Sequence, residues 1–154
     1  MITEKLYDKD SHIKAFTAKV IDCRKKENGF DVILDKTAFF PEGGGQYADT
    51  GKIGEADIND VQIINGEIVH FADRALNIGE ELCCEINWEQ RFRRMQNHSG
   101  EHIVSGIVHK LYGYENVGFH LGDDVTIDFD GELTREQLID VEKRANEAIY
   151  KNAK

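Results

Sequence analysis

His98 and His102 stand four residues apart in the segment RMQNHSGEHIVSGIVHKLYG. On a helix, positions i and i+4 share a face, one above the other. Two imidazoles so placed can hold one metal ion, and Zn²⁺ suits nitrogen donors. His98 falls in the first turn of an apolar stretch, and His102 borders the stripe of Ile103, Val104, Ile107, Val108 and Leu111. The rings would therefore face a semi-buried pocket. A zinc site takes three or four protein ligands, so the pair needs partners. The same residues, His-Ser-Gly-Glu-His, also fit the HxxEH arrangement of inverted zinc peptidases, with Glu101 as general base. That reading asks for an acidic ligand from a later helix, where Glu136 and Glu142 stand. A third reading is a pair of capping or packed histidines with no metal.

A glycine-rich segment is the second feature. Phe39-Phe40-Pro41-Glu42-Gly43-Gly44-Gly45-Gln46 precedes Asp49-Thr50-Gly51. Consecutive glycines permit positive φ and let the backbone approach a ligand closely. No GK[ST] follows, so this is not a P-loop, and no βαβ unit surrounds it. Alone, the segment reads as a turn between strands.

The elements around these features change character near residue 87. The first 86 residues read as antiparallel β. Residues 14–23 place Phe16, Ala18 and Val20 on one face, and Asn28-Gly29 and Asn65-Gly66 are hairpin signals. A last strand is expected from about Glu80 to Ile86. Short strands with regular turns predict a small antiparallel β-barrel, closed or nearly so, as a domain over 1–86. Asn87 with Gln90 then predicts a helix opening at Trp88; Asn97 would cap a second helix unless the first runs on. Gly113 is the expected stop. VTIDF alternates like a strand, and Thr134 with Gln137 predicts a final helix burying Leu138, Val141, Ala145 and Ile149. The second domain, 87–154, is thus α+β, with helices on an antiparallel sheet. VTIDF lacks strand partners after it, so the sheet is incomplete at the C-terminus. The chain is expected to be a fragment, or to borrow an edge from another copy.

Composition narrows the class. The chain has 154 residues, 40% hydrophobic and 31% charged, the size of one ordinary domain or two small ones. No apolar run reaches the ~20 residues needed to cross a bilayer. The N-terminus is too polar for a signal peptide, and a cytoplasmic location is the default expectation. Three cysteines, Cys23, Cys83 and Cys84, form no C-x-x-C pair. Adjacent residues on a strand point to opposite faces, so Cys83 and Cys84 cannot converge on one ion. Nineteen basic and 29 acidic residues give a net charge of −10, which argues against DNA or nonspecific nucleic-acid binding. Arg91, Arg93 and Arg94 form one local basic cluster, either a solvated helix face or a phosphate contact.

Taken together, the two features carry a resemblance. Thr37, Phe39, Phe40, Pro41, Glu42, Gly43, Gly44, Gly45, Gln46, Asp49 and Gly51 match one part of a family pattern. Trp88, Arg91, Met95, His98, Ser99 and His102 match the other, with Asn87 where Asp is common. The chain resembles the editing region of alanyl-tRNA synthetases and the free-standing AlaX-type editing proteins. The resemblance implies a small β-barrel followed by an α+β editing domain. It also implies hydrolysis of mischarged Ser- or Gly-tRNA(Ala), a tRNA(Ala) acceptor end as partner, and Zn held by His98 and His102. The other two of four expected ligands would come from a C-x-x-x-H motif, which this sequence does not contain. It further implies that Gly43, Gly44, Gly45 and Gln46 meet the terminal adenosine or ester. His120 would contact the amino-acid side chain, and Arg91, Arg93 and Arg94 would meet tRNA phosphates. A noncatalytic tRNA-binding or synthetase-associated module is the alternative. The start at Met1 favours a free-standing editor over a full synthetase, and oligomeric state is left open.

Overall fold

The computed structural model describes residues 2–122 and 124–152. The elements run β1 (Glu4–Lys5), β2 (Ala15–Lys26), β3 (Gly29–Leu34), β4 (Lys36–Thr37), β5 (Gly51–Ile53), β6 (Ala56–Ile64), β7 (Glu67–Ala72) and β8 (Glu81–Ile86). Helix α1 (Trp88–Tyr112), β9 (Asn116–Leu121), β10 (Val125–Phe129) and α2 (Arg135–Tyr150) complete them. The chain divides into two compact units, 1–92 and 93–154, the boundary falling inside α1.

In the first unit six strands pair in the order β2-β3-β7-β6-β5-β8, and β8 returns to β2 along residues 15–19. One long strand serves two neighbours: the first part of β2 pairs with β8, the second with β3. The register shifts between Val20 and Asp22, and such an irregularity lets a strand bend and re-aim. Alternation buries Ala18 and Val20 of β2 against Val32 and Leu34 of β3 and Ile58 and Val61 of β6. Both expected hairpins form. At the second, Asn65 and Gly66 hold φ of 51° and 83°, the left-handed pair that the tightest hairpin turn requires. Gly51 is fixed by proximity: a Cβ there would lie 2.1 Å from the Glu85 carbonyl oxygen and 2.9 Å from Phe39 Cε1. Adjacent Cys83 and Cys84 on β8 divide as alternation demands, Cys83 exposed and Cys84 buried.

The expected architecture, a small antiparallel β-barrel followed by helices on an antiparallel sheet, is corrected in what accompanies the six antiparallel strands. Pairing is mixed, because β1 and β4 join in parallel, Glu4 beside Lys36, apart from the six-stranded sheet. Two-residue strands carry no periodicity, so sequence pattern cannot reveal them. The described chain holds two α-helices, and β9 and β10 form a two-stranded antiparallel ribbon in place of a sheet. VTIDF thus finds its partner before it in sequence, Ile127 opposite Phe119.

Helix α1 runs on through Asn97 without a second cap. Asn87 Oδ1 accepts the Gln90 amide at 3.3 Å, and at the far end Gly113 takes φ of 71° while its amide donates to the His109 carbonyl. Thr134 and Gln137 make the reciprocal capping box of α2. Val141 and Ala145 are buried on α2 as expected, but Leu138 and Ile149 are 52% and 57% exposed, so the expected apolar face is only half covered. No helix among the described residues is long and apolar enough to cross a membrane.

Candidate metal centre

The second unit brings His98 and His102 together on α1. Their rings stack with centroids 4.9 Å apart and planes 23° apart, as i and i+4 spacing dictates. His98 is half-buried, its ring 6.2 Å from that of Phe119 on β9, whereas the His102 side chain is exposed. Glu101 lies beside them and is 2% exposed. One donor atom from each of His98, Glu101 and His102 falls within 4.8 Å of the others, the single such cluster among the described residues. The Glu101 carboxylate is held at one oxygen: Oε1 accepts from Ser105 Oγ at 2.6 Å and from Asn116 Nδ2 at 2.5 Å. Asn116 is itself fixed, its Oδ1 accepting the Gly118 amide. Oε2 lies 3.3 Å from His102 Nδ1, yet it is buried and accepts no hydrogen bond. Two imidazoles and a buried carboxylate oxygen with no donor suit a divalent cation. Sequence reasoning reached Glu101 only as a peptidase base and missed Ser105 and Asn116. The signal for Ser105 was its own i+4 spacing from Glu101; for Asn116, across a loop, there was none.

The glycine segment belongs to the first unit. Gly43 and Gln46 exchange both backbone hydrogen bonds at 3.1 Å, with Gly44 and Gly45 at φ of 60° and 79°. This is a tight left-handed turn that residues with a Cβ adopt only under strain. The three glycines are exposed, whereas Gln46 is buried at 6%. Two buried networks hold the approaches. Upstream, the Phe39 amide donates to Thr37 Oγ1, and Thr37 Oγ1 meets His70 Nε2 at 2.8 Å. His70 Nδ1 is 3.0 Å from the Val32 carbonyl oxygen. Downstream, Asp49 Oδ2 accepts the Phe40 amide at 2.7 Å and pairs with Arg91.

That pair corrects one expectation. Arg91 is 3% exposed and bonded to Asp49 and to the Ala38 carbonyl, so it is engaged within the protein and not presented to a phosphate. Arg93 is exposed and Arg94 half-buried. His120 is exposed on β9, next in sequence to Phe119, the residue whose ring meets His98.

A family profile described as tRNA synthetases class II (A) matches residues 4–90. The chain belongs to that family. Within it, the chain belongs with the AlaX-type alanyl-tRNA editing proteins. It is 35% identical to the alanyl-tRNA editing protein AlaX-L of Pyrococcus horikoshii, over 96% of this chain and 39% of that protein. It is 37% identical to the alanine–tRNA ligase of Ignicoccus hospitalis, over 99% of this chain and 17% of the ligase. With AlaX-M of Saccharolobus solfataricus the identity is 35%, over 98% of this chain and 66% of the relative.

Proposed function

We propose that the chain carries out, as part or whole of an AlaX-type editor, hydrolysis of the ester in tRNA(Ala) mischarged with serine or glycine. The observation that carries this is the stacked His98–His102 pair beside buried Glu101, in a chain whose relatives bear the name alanyl-tRNA editing protein. In this reading His98 and His102 hold a zinc ion, which when bound supplies Lewis acidity to the ester or its attacking water. The protein's own part is positioning. The exposed glycine turn offers its peptide edges to the terminal adenosine, and Arg93 and Arg94 meet acceptor-stem phosphates. An aminoacyl ester is already activated, so orientation supplies much of what the reaction needs. A serine hydroxyl is selected by hydrogen bonds that alanine leaves unmade.

The test is deacylation. Purified protein with Zn²⁺ is expected to release serine or glycine from tRNA(Ala) and to spare Ala-tRNA(Ala). His98→Ala is expected to lower the rate by more than about 100-fold, beyond what changes around a metal site usually give. Unchanged hydrolysis by His98→Ala would remove the metal from the reading. Binding of tRNA(Ala) with no ester cleavage would favour a noncatalytic recognition module.

A further inference from the structure

We propose that Trp88 and Phe92, at the start of α1, form a stacking platform for an unpaired RNA base, and that the unpaired 3′ end of the tRNA is the strand it takes. The inference rests on the editing reading above and adds the surface that holds nucleotides next to the reacting ester. Four observations carry it. First, the two rings stack, with centroids 5.7 Å apart and planes 25° apart, as i and i+4 spacing on a helix allows. Second, the stack is open to solvent. Phe92 is 42% exposed and meets no ring but that of Trp88 among the described residues. A scattered exposed Phe is ordinary, but a ring already stacked on an indole is a flat face to which a further ring can add. Third, basic side chains stand beside it. Lys14 Nζ lies 4.9 Å from the Trp88 ring centroid, and this exposed lysine makes no ion pair among the described residues. The exposed His12 ring is tilted against the indole at 5.7 Å, with Asp10 3.7 Å from its Nδ1. Fourth, the Trp88 indole N–H bonds to no protein group among the described residues, which leaves a hydrogen-bond donor on the platform.

Aromatic faces flanked by cations bind single-stranded nucleic acid through base stacking and phosphate attraction. A duplex hides its base faces, so such a platform selects an unpaired strand. In a chain of net charge −10, a cation set beside exposed rings supplies attraction to a phosphate locally. His12, Lys14, Trp88 and Phe92 all belong to the first unit, so the platform is complete without the histidine pair. Helix α1 leads on from it to His98 and His102.

Trp88 is the one tryptophan of the sequence, so its fluorescence reads the platform directly. The experiment titrates the purified chain with uncharged tRNA(Ala) and with the same tRNA lacking its unpaired 3′ nucleotides. Intact tRNA is expected to quench Trp88 and to bind about 10-fold more tightly than the trimmed form. Phe92→Leu keeps an apolar side chain but removes the ring, and is expected to erase that difference; Phe92→Tyr is expected to retain it. Equal quenching and affinity for the two tRNAs, or a Phe92→Leu protein that still favours the intact one as wild type does, would overturn the platform. Should Phe92→Leu fail to fold, the wild-type comparison of intact and trimmed tRNA decides alone. Ester hydrolysis is scored separately. A chain that prefers intact tRNA through Phe92 yet releases no amino acid would leave the platform standing and overturn the editing reading. Release of serine with equal KM by wild type and Phe92→Leu would do the reverse.

Discussion

His70 shows how a single side chain can hold a loop in place and record pH. It is fully buried, and desolvation lowers its pKa to about 4 against an ordinary 6.5. The ring is therefore neutral in the fold. With Nδ1 donating to the Val32 carbonyl, Nε2 accepts the Thr37 hydroxyl, and Thr37 Oγ1 accepts the Phe39 amide. Between about pH 6.5 and 4 the unfolded chain binds a proton that the folded chain refuses. The stability tied to this residue is thus complete above about pH 6.5 and is lost as pH falls to about 4, by about 3 kcal/mol in all. Urea midpoints should fall from pH 7 to 4.5 more steeply for wild type than for His70→Leu; equal slopes would contradict a neutral buried ring. Sequence alone assigned His70 no role, because its partners lie 33 and 38 residues away. Arg91 was misread for the same reason. A run of cations looks like a solvated helix face until Asp49, 42 residues upstream, is found beside it. The histidine pair was legible because its geometry is set by local helix spacing.

At the scale of elements, the hairpins and helix ends were readable wherever a turn or cap has its own chemistry. Asn65-Gly66, Gly113 and the Thr134 capping box are such places. Strand β9 was not recognised, although Val117, Phe119 and Leu121 alternate, because Gly113, Gly118 and Gly122 break the pattern with turn signals. At Gly118 a Cβ would stand 3.4 Å from Asp128 Oδ2, a contact that a flexible side chain accommodates. Packing constrains β5 more severely. Gly51→Ala would drive a methyl into the Glu85 carbonyl and the Phe39 ring, and backbone cannot yield as a flexible side chain does. The expected cost is about 3 kcal/mol, at the upper end for overpacking, measured as a drop in urea midpoint with the denaturant slope retained. A loss below about 0.5 kcal/mol would mean that β5 and β8 can separate locally.

For the whole molecule, a net charge of −10 means that the tRNA contact of the proposed function would have to rest on a local patch, and Arg91, held in a buried ion pair, is not part of it. Long-range pairing also governs cooperativity, since every strand of the six-stranded sheet bonds to two others. Cys84 turns that into something observable. Its thiol is buried on β8, and burial pushes its pKa up to about 12, whereas Cys83 beside it is exposed. An alkylating reagent should modify Cys83 quickly and reach Cys84 only during excursions that unzip β8 from β2 or β5. The two adjacent sulfurs thus form a built-in stopwatch: mass spectrometry of the doubly labelled species should follow the opening rate, and simultaneous labelling of both would show that the sheet breathes freely at that seam.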